Sequence, residues 1–422
     1  MPFDSVTATA VRTAAERIQH AVLRTSLQRW ERLSEATGAR VLLKREDLQP
    51  VRSYKVRGAF NLMLDLEESE RDRGVVCASA GNHAQGVAKA CAELQIAGRI
   101  FVPRTTPGQK LERIRALGGQ WVTIVPVGTT YDEASAAAKE FASADGAVMV
   151  HPFDDARTIA GQGTVAKEIH DQLGAPPDVV IVPVGGGGLL AGMATYFADA
   201  CPQTRVIGVE PAGAAGMAAA LAAGHPVRLD QVDTFVDGAA VRRVGDVSHQ
   251  LVSELGVPLR AVDEGRIAAE MLDLYQVEGI IAEPAGALAP AAVGAAGSGA
   301  VVEAGPGMTV VCLLSGGNND ISRYAEVQER ALVYAGLRHY FVIDFPQEPG
   351  ALRGFLDSVL GPQDDISLFE YTKRSNRETG PAFVGLTLGA AEDYGPLLER
   401  MDASGLTYRP IPPDSPLFHV FT

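Results

Sequence analysis

The sequence predicts an α/β chain built on parallel sheets and followed by a small α+β module, and three observations carry that expectation. Between residues 41 and 325, short β-branched runs alternate with glycine-rich or polar turns and then helical patterns, as parallel βαβ units do. Three of those runs end in loops of small residues, where open parallel sheets place their ligands. After about Gly336 the order becomes strand, helix, strand, strand, helix, strand, the ferredoxin-like arrangement.

The first βα unit is Gly74–Ala78 followed by SAGNHAQGVAKACAEL, and the second is Asp178–Val184 followed by GGGGLLAGMATYFADA. The third run, Met308–Leu314, ends in Ser315-Gly316-Gly317-Asn318-Asn319. The Ala- and Gly-rich stretch 291–308 reads as a helix end and loop. In the tail, HYFVIDF (339–345), DISLFEYTKR (365–374), PAFVGLTLG (381–389) and TYRPI (407–411) read as strands. PGALRGFLDSVLG (349–361) and DYGPLLERMDASG (393–405) read as helices.

A chain of 422 residues exceeds the size at which one core keeps growing, so two or three domains are expected. Hydrophobic residues at 46% and charged residues at 21% describe a globular chain rather than a disordered one. The net charge of −14 repels phosphate backbones and anionic lipid, so neither nucleic acid nor membrane is an expected partner. Cys77, Cys91, Cys201 and Cys312 are scattered and read as reduced thiols; with no leader or spanning segment in MPFDSVTATAVRTAAERIQHAVL, a cytoplasmic enzyme is expected. The eight histidines show no ligand spacing, so no metal is expected.

Lys55 sits in Ser53-Tyr54-Lys55-Val56-Arg57-Gly58-Ala59, between Arg52 and Arg57, at a loop entering a helix. A cationic setting lowers a lysine pKa and suits it to imine formation, although most lysines are solvated surface charges. Gly185-Gly186-Gly187-Gly188-Leu189 follows a buried run and opens a helix, so its bare N–H groups suit a phosphate; a ligand-free tight turn is the other reading. Ser79-Ala80-Gly81-Asn82-His83 suits a carboxylate, with helix capping by Ser79 or Asn82 as its alternative. His83 reads equally as a helix-face residue or a proton carrier. Ser315 offers one hydroxyl to a ring nitrogen, and Glu283, in Glu283-Pro284-Ala285-Gly286, reads either as a residue near the site or as a solvated or capping carboxylate.

Taken in series, Lys44-x-Glu46-x-x-Gln49-x-x-x-Ser53-Tyr54-Lys55-x-Arg57-Gly58-Ala59, SAGNHAQG, GGGGL and SGGN resemble the threonine dehydratase (threonine ammonia-lyase) family. The resemblance runs from about residue 20 to the C-terminus. It implies the two-domain pyridoxal-phosphate fold of the tryptophan-synthase-β type, with residues 52–155 as a small domain inserted in a large one of 1–51 and 156–335. It also implies pyridoxal 5'-phosphate carried by Lys55, with Asn82 on the ring hydroxyl, Gly185 to Leu189 on the phosphate and Ser315 on the ring nitrogen. Ser79, Ala80, Gly81, Asn82 and His83 then grip the substrate carboxylate. A neutral ring nitrogen opposite Ser315 points to β-elimination.

The module 336–422, through DFPQEPGAL and FEYTKRSNRETGPAFVG, resembles the single ACT-like regulatory domain of the short biosynthetic dehydratases. The resemblance implies L-threonine as substrate, with L-serine as a second, and isoleucine as effector, with valine as a second candidate. Pro349 and Gly350 mark the candidate effector loop, and a homodimer or homotetramer is implied. Lys55 is the expected general base, with the cofactor phosphate or Lys55 aiding departure of the β-hydroxyl. Two positions depart from the family pattern: Ser26 replaces a proline, and Gly216 replaces the acid of a racemase metal site whose first part resembles Glu210-Pro211-Ala212-Gly213-Ala214. An ion near Glu210 is left open. The rival activities are a degradative serine/threonine dehydratase, a serine racemase and a β-replacement enzyme; a non-catalytic amino-acid sensor is the rival from another class.

Overall fold

The structure, a computed structural model, describes residues 6–371, 378–413, 415, 417 and 418. Residues 372–374 of the strand expected over 365–374, residues 372–377 of the tail segment and residues 1–5 of the amino-terminal segment lie outside the described residues. The chain divides into two compact units, Met1–Glu264 with Leu274–Asn319, and Gly265–Asp273 with Asp320–Thr422.

In the first unit, strands β1 (Leu27–Arg29) and β2 (Arg40–Arg45) come first. Strands β3 (Val75–Ala78), β4 (Gly98–Val102), β5 (Val122–Pro126) and β6 (Val148–Met149) then form a sheet of their own, in the order β5-β4-β3-β6 and parallel throughout. The chain returns with β7 (Val179–Pro183), β8 (Arg205–Pro211) and β9 (Leu259–Val262). After β10 (Val293–Ala295) and β11 (Val302–Ala304) comes β12 (Thr309–Leu314), which completes a sheet ordered β1-β2-β12-β7-β8-β9. That sheet is parallel except for β1, an antiparallel edge.

All five residues of β7 are buried, as a strand covered on both faces requires. The helix after it, Gly188–Ala200, is apolar nearly all round and buries nine residues, because other helices and the sheet enclose it. The helix Ala156–Leu173 starts where Asp155 accepts the Arg157 N–H at 2.8 Å and stops at Gly174 in the left-handed region. One element departs from expectation. The stretch 291–308 holds a short parallel pair, β10 with β11, where the sequence suggests only a helix end and loop; Val293 and Val302 are buried and face each other in register.

In the second unit, β13 (Arg338–Pro346), the helix Ala351–Ser358, β14 (Asp365–Tyr371), β15 (Thr379–Thr387), the helix Tyr394–Ala403 and β16 (Thr407–Ile411) follow the expected βαββαβ order. The sheet is antiparallel where β13 meets β15 and β16, with strand order β14-β15-β13-β16. Phe341, Ile343 and Phe345 on β13 meet Phe355, Leu397 and Met401 of the two helices in one core.

Candidate active site

The carboxyl ends of β3, β7 and β12 face a cavity of about 930 Å³. Lys55 lies on its wall with Ser79, Ala80, Gly81, Asn82, His83 and Gly186. Gly185, Gly187, Gly188, Leu189 and Ser315 are not among the residues that line the cavity. Leu189 belongs to the hydrophobic core, and a Cβ at Gly187 would meet Met217 and Ser248. Pro349 and Gly350 belong to the second unit and precede its helix Ala351–Ser358, with Gly350 at φ 94°.

Lys55 is the first residue of the helix Lys55–Leu64. The loop that delivers it is laid along the loop after β12: the Tyr54 N–H donates to the Ser315 carbonyl at 3.1 Å, and the Gly317 N–H to the Arg52 carbonyl at 2.8 Å. Arg52 takes φ 57° to make that turn, one of two described non-glycine residues with positive φ. The helix is anchored from behind by Arg57. Its guanidinium donates to Glu46 from Nε and Nη2, both at 2.8 Å, and to Glu168 from Nη1 and Nη2 at 2.7 and 2.9 Å. Lys44 donates to Glu168 at 2.7 Å and to the Thr25 carbonyl at 2.8 Å. Lys44, Glu46 and Arg57 are fully buried, so this network fixes the start of the helix in a low-dielectric interior.

The Lys55 Nζ donates to the Pro152 carbonyl at 3.2 Å and lies 5.3 Å from the Tyr54 ring centroid. Burial pushes its pKa down to about 8, with Glu283 pulling the other way. Asn82 is held on both sides of its amide: Oδ1 accepts from Asn318 at 2.7 Å and Nδ2 donates to Glu283 at 2.6 Å. Asn318 also donates to the Val51 carbonyl at 2.7 Å, so the SGGN loop orients the SAGN loop.

Glu283 is neither solvated nor a cap, and it lines the cavity. It precedes the helix Pro284–Ala292 but makes no capping bond, and only 5% of it is exposed. Its carboxyl rests against Gly316, where any Cβ would collide with it. Burial, and next the charge of Asp237, raise its pKa to about 7. His83 is held toward its neutral form. Burial chiefly pushes its pKa down to about 3, and the Val150 carbonyl 2.7 Å from Nε2 requires the proton there.

Ser315 Oγ donates to the Ala285 carbonyl at 3.0 Å, so a ring nitrogen would compete with that carbonyl for its one hydrogen. Glu210 spends both oxygens on the Met217 and Ala218 N–H groups at 2.6 and 2.9 Å. Among the described residues no three His, Cys, Asp or Glu side chains are grouped to hold a metal, and no helix is long and apolar enough to cross a membrane.

The residues fit pyridoxal phosphate. Gly186 and Gly188 lie so close to Phe153 that a Cβ on either would collide with it, leaving bare backbone at the start of the helix Gly188–Ala200. Ser53 Oγ and His83 Nδ1 are buried without a partner, which marks a region arranged for more than its own packing. Phe153 and Asn318 were not selected from sequence as site residues, and a place near the site was only one of two readings of Glu283. Asn318 carried a signal, its place in SGGN; Phe153 carried none, because only the fold brings it to the glycines.

A family model for pyridoxal-phosphate-dependent enzymes matches residues 18–316, and one for the C-terminal regulatory domain of threonine dehydratase matches residues 329–421. The chain is 57% identical over 419 residues to the biosynthetic L-threonine dehydratase of Mycobacterium tuberculosis, covering 99% of this chain and 96% of that protein. Among solved structures, the processed form of threonine deaminase isoform 2 from Solanum lycopersicum matches with TM-score 0.70 at 39% identity, covering 78% of this chain and 96% of that one. Maize serine racemase matches with TM-score 0.70 at 30% identity, covering 78% and 99%.

Proposed function

The chain belongs to the pyridoxal-phosphate-dependent enzyme family, and from that premise we propose that it converts L-threonine to 2-oxobutanoate and ammonia, the first step of isoleucine biosynthesis. The observation that carries this reading is Lys55 on one cavity wall with Asn82, the Ser79–His83 turn and Gly186, in a chain similar throughout to a biosynthetic dehydratase. Lys55 would carry the cofactor, with Asn82 for its ring hydroxyl, Gly185 to Leu189 for its phosphate and Ser315 for its ring nitrogen. Bound there, pyridoxal phosphate supplies an electron sink for charge developing at the substrate α-carbon.

The residues of the chain do the rest. The Ser79–His83 turn, opening the helix Asn82–Leu94, receives the substrate carboxylate; the Ser79 N–H already donates to the Phe101 carbonyl at 3.1 Å and the Gly81 N–H to Ser79 Oγ at 3.2 Å. Lys55, with its pKa near 8, takes the α-proton as general base close to neutral pH. The glycine loop has no room for side chains. Gly186→Ala puts a methyl group into the Phe153 ring and is expected to weaken cofactor binding at least about tenfold, a loss of about 1.4 kcal/mol; a cofactor titration by absorbance checks it.

The proposed division is a large domain of 1–51 and 156–335, a small domain of 52–155 and a regulatory module of 336–422. Its support is that β3 to β6 all fall between residues 75 and 149, and that β13 begins at Arg338. Isoleucine is the proposed effector of the module, with Pro349 and Gly350 at its binding loop and valine as the second ligand to try. A cytoplasmic homodimer or homotetramer is proposed with it. Steady-state formation of 2-oxobutanoate from L-threonine, with and without isoleucine, tests the whole reading. Turnover inhibited by isoleucine is the expected result. Turnover without inhibition supports a degradative dehydratase, racemised serine a racemase, and no turnover the amino-acid sensor.

A further inference from the structure

We propose that Glu283 is a further catalytic residue, the carboxylic acid that gives its proton to the departing β-hydroxyl of the substrate. The inference rests on the β-elimination reading above. Five carboxylates line the cavity, and four are committed elsewhere. Asp132 pairs with Arg228 at 2.5 Å, Asp237 with Lys110 at 3.2 Å and Asp246 with Arg243 at 2.7 Å, while Asp154 accepts the Val247 N–H at 2.9 Å. Glu283 has no ion pair among the described residues. Its Oε1 accepts from Asn82 at 2.6 Å, and its Oε2 makes no hydrogen bond among the described residues.

The carboxyl is held in place rather than free to swing. Gly286 and Gly316 approach each other too closely to tolerate a Cβ on Gly286, and the carboxyl fills the space over Gly316. The groups that act on it are Asp237, which favours the proton, and Lys110 and Lys55, which oppose it; Tyr54 also feels its charge. Burial outweighs the Asn82 hydrogen bond and the two cations and raises the carboxyl pKa to about 7. Lys55 and Glu283 therefore form a base and an acid on one cavity wall, each within electrostatic reach of the other.

The proton count closes. Lys55 takes the α-proton, and the electron pair of that C–H bond becomes the second bond between the α- and β-carbons. The bond from the β-carbon to oxygen breaks with its pair on oxygen, which takes the Glu283 proton and leaves as water. The Lys55 ammonium then returns a proton to the Glu283 carboxylate. Neither an oxidant nor a reductant is needed.

The test is Glu283→Gln, which keeps an oxygen for Asn82 but has no acidic proton. It is assayed as holoenzyme on L-threonine and on β-chloro-L-alanine, whose chloride leaves without a proton. The expected result is a loss of about 100-fold or more in kcat on L-threonine with β-chloro-L-alanine turnover within about threefold of the parent. Equal losses on both substrates overturn the proposal and leave Glu283 a positioning residue acting through Asn82; no loss on either also overturns it. Infrared difference spectra of the cofactor-free protein give a readout without turnover: a protonated carboxyl band that titrates near pH 7 in the parent chain and is missing in Glu283→Gln. Its absence from the parent overturns the proposal. If the parent itself forms no 2-oxobutanoate, the β-elimination reading fails instead, and the infrared band still reports on the acid.

Discussion

With the cofactor supplied, Lys55→Ala is expected to form 2-oxobutanoate on the order of 10⁴-fold more slowly than the parent chain and to lack the visible band of the bound cofactor. Both losses have one cause, since the same amine holds the cofactor and moves the α-proton. An unchanged visible spectrum would remove Lys55 from the site. The fold should survive, because among the described residues the Lys55 side chain makes a single hydrogen bond, to the Pro152 carbonyl. The cofactor-free protein gives a second measurement. The folded pKa of about 8 lies below the ordinary 10.5, so between these values the unfolded chain binds the extra proton and stability rises with pH. Replacing the amine by an apolar side chain, Lys55→Met, should therefore stabilise the cofactor-free chain at pH 7 by up to about 3 kcal/mol. The gain should shrink as the pH rises from 8 to 10.5. Denaturant unfolding at the two ends of that window checks it, and an equal difference at both ends would contradict a buried amine.

Arg57→Ala is expected to destabilise the chain by about 3–5 kcal/mol, because it leaves the fully buried Glu46 without its counter-charge. Arg57→Lys should recover only part of that loss, since an ammonium cannot make two-pronged contacts to Glu46 and Glu168 together. The pH dependence has a definite sign. Burial opposes ionisation of Glu46, but the charge and hydrogen bonds of Arg57, with Lys44 and Thr25, hold its pKa below 4.5. Its stabilisation is thus complete above pH 4.5 and is lost as pH falls through the lower folded value. Urea unfolding against pH should show the parent losing stability below that point, with Arg57→Ala showing a shallower acid dependence.

Much of the site was legible because its parts are local. A buried run that stops at Ser79, Gly185 or Ser315 and resumes as a helix or loop announces a strand end, and the residue types there announce the polarity of what the turn receives. The ferredoxin-like order of the tail was legible for the same reason: alternation and helical spacing each need fewer than a dozen residues to show. The β10 and β11 pair was hidden, because Ala- and Gly-rich text has no period strong enough to separate a three-residue strand from a loop.

By itself, the sequence determined the order of the elements, the turns that end the strands and the lysine that starts a helix beside them. Only the tertiary structure decided that Glu283 meets Asn82 across 201 residues, that Arg57 meets Glu168 across 111, and that Phe153 closes on Gly186. A carboxylate near the surface and a carboxylate sealed against an amide have the same neighbours along the chain. What separates them is desolvation and the charges brought close by folding, and these set whether the group is a solvated anion or an acid that still holds its proton.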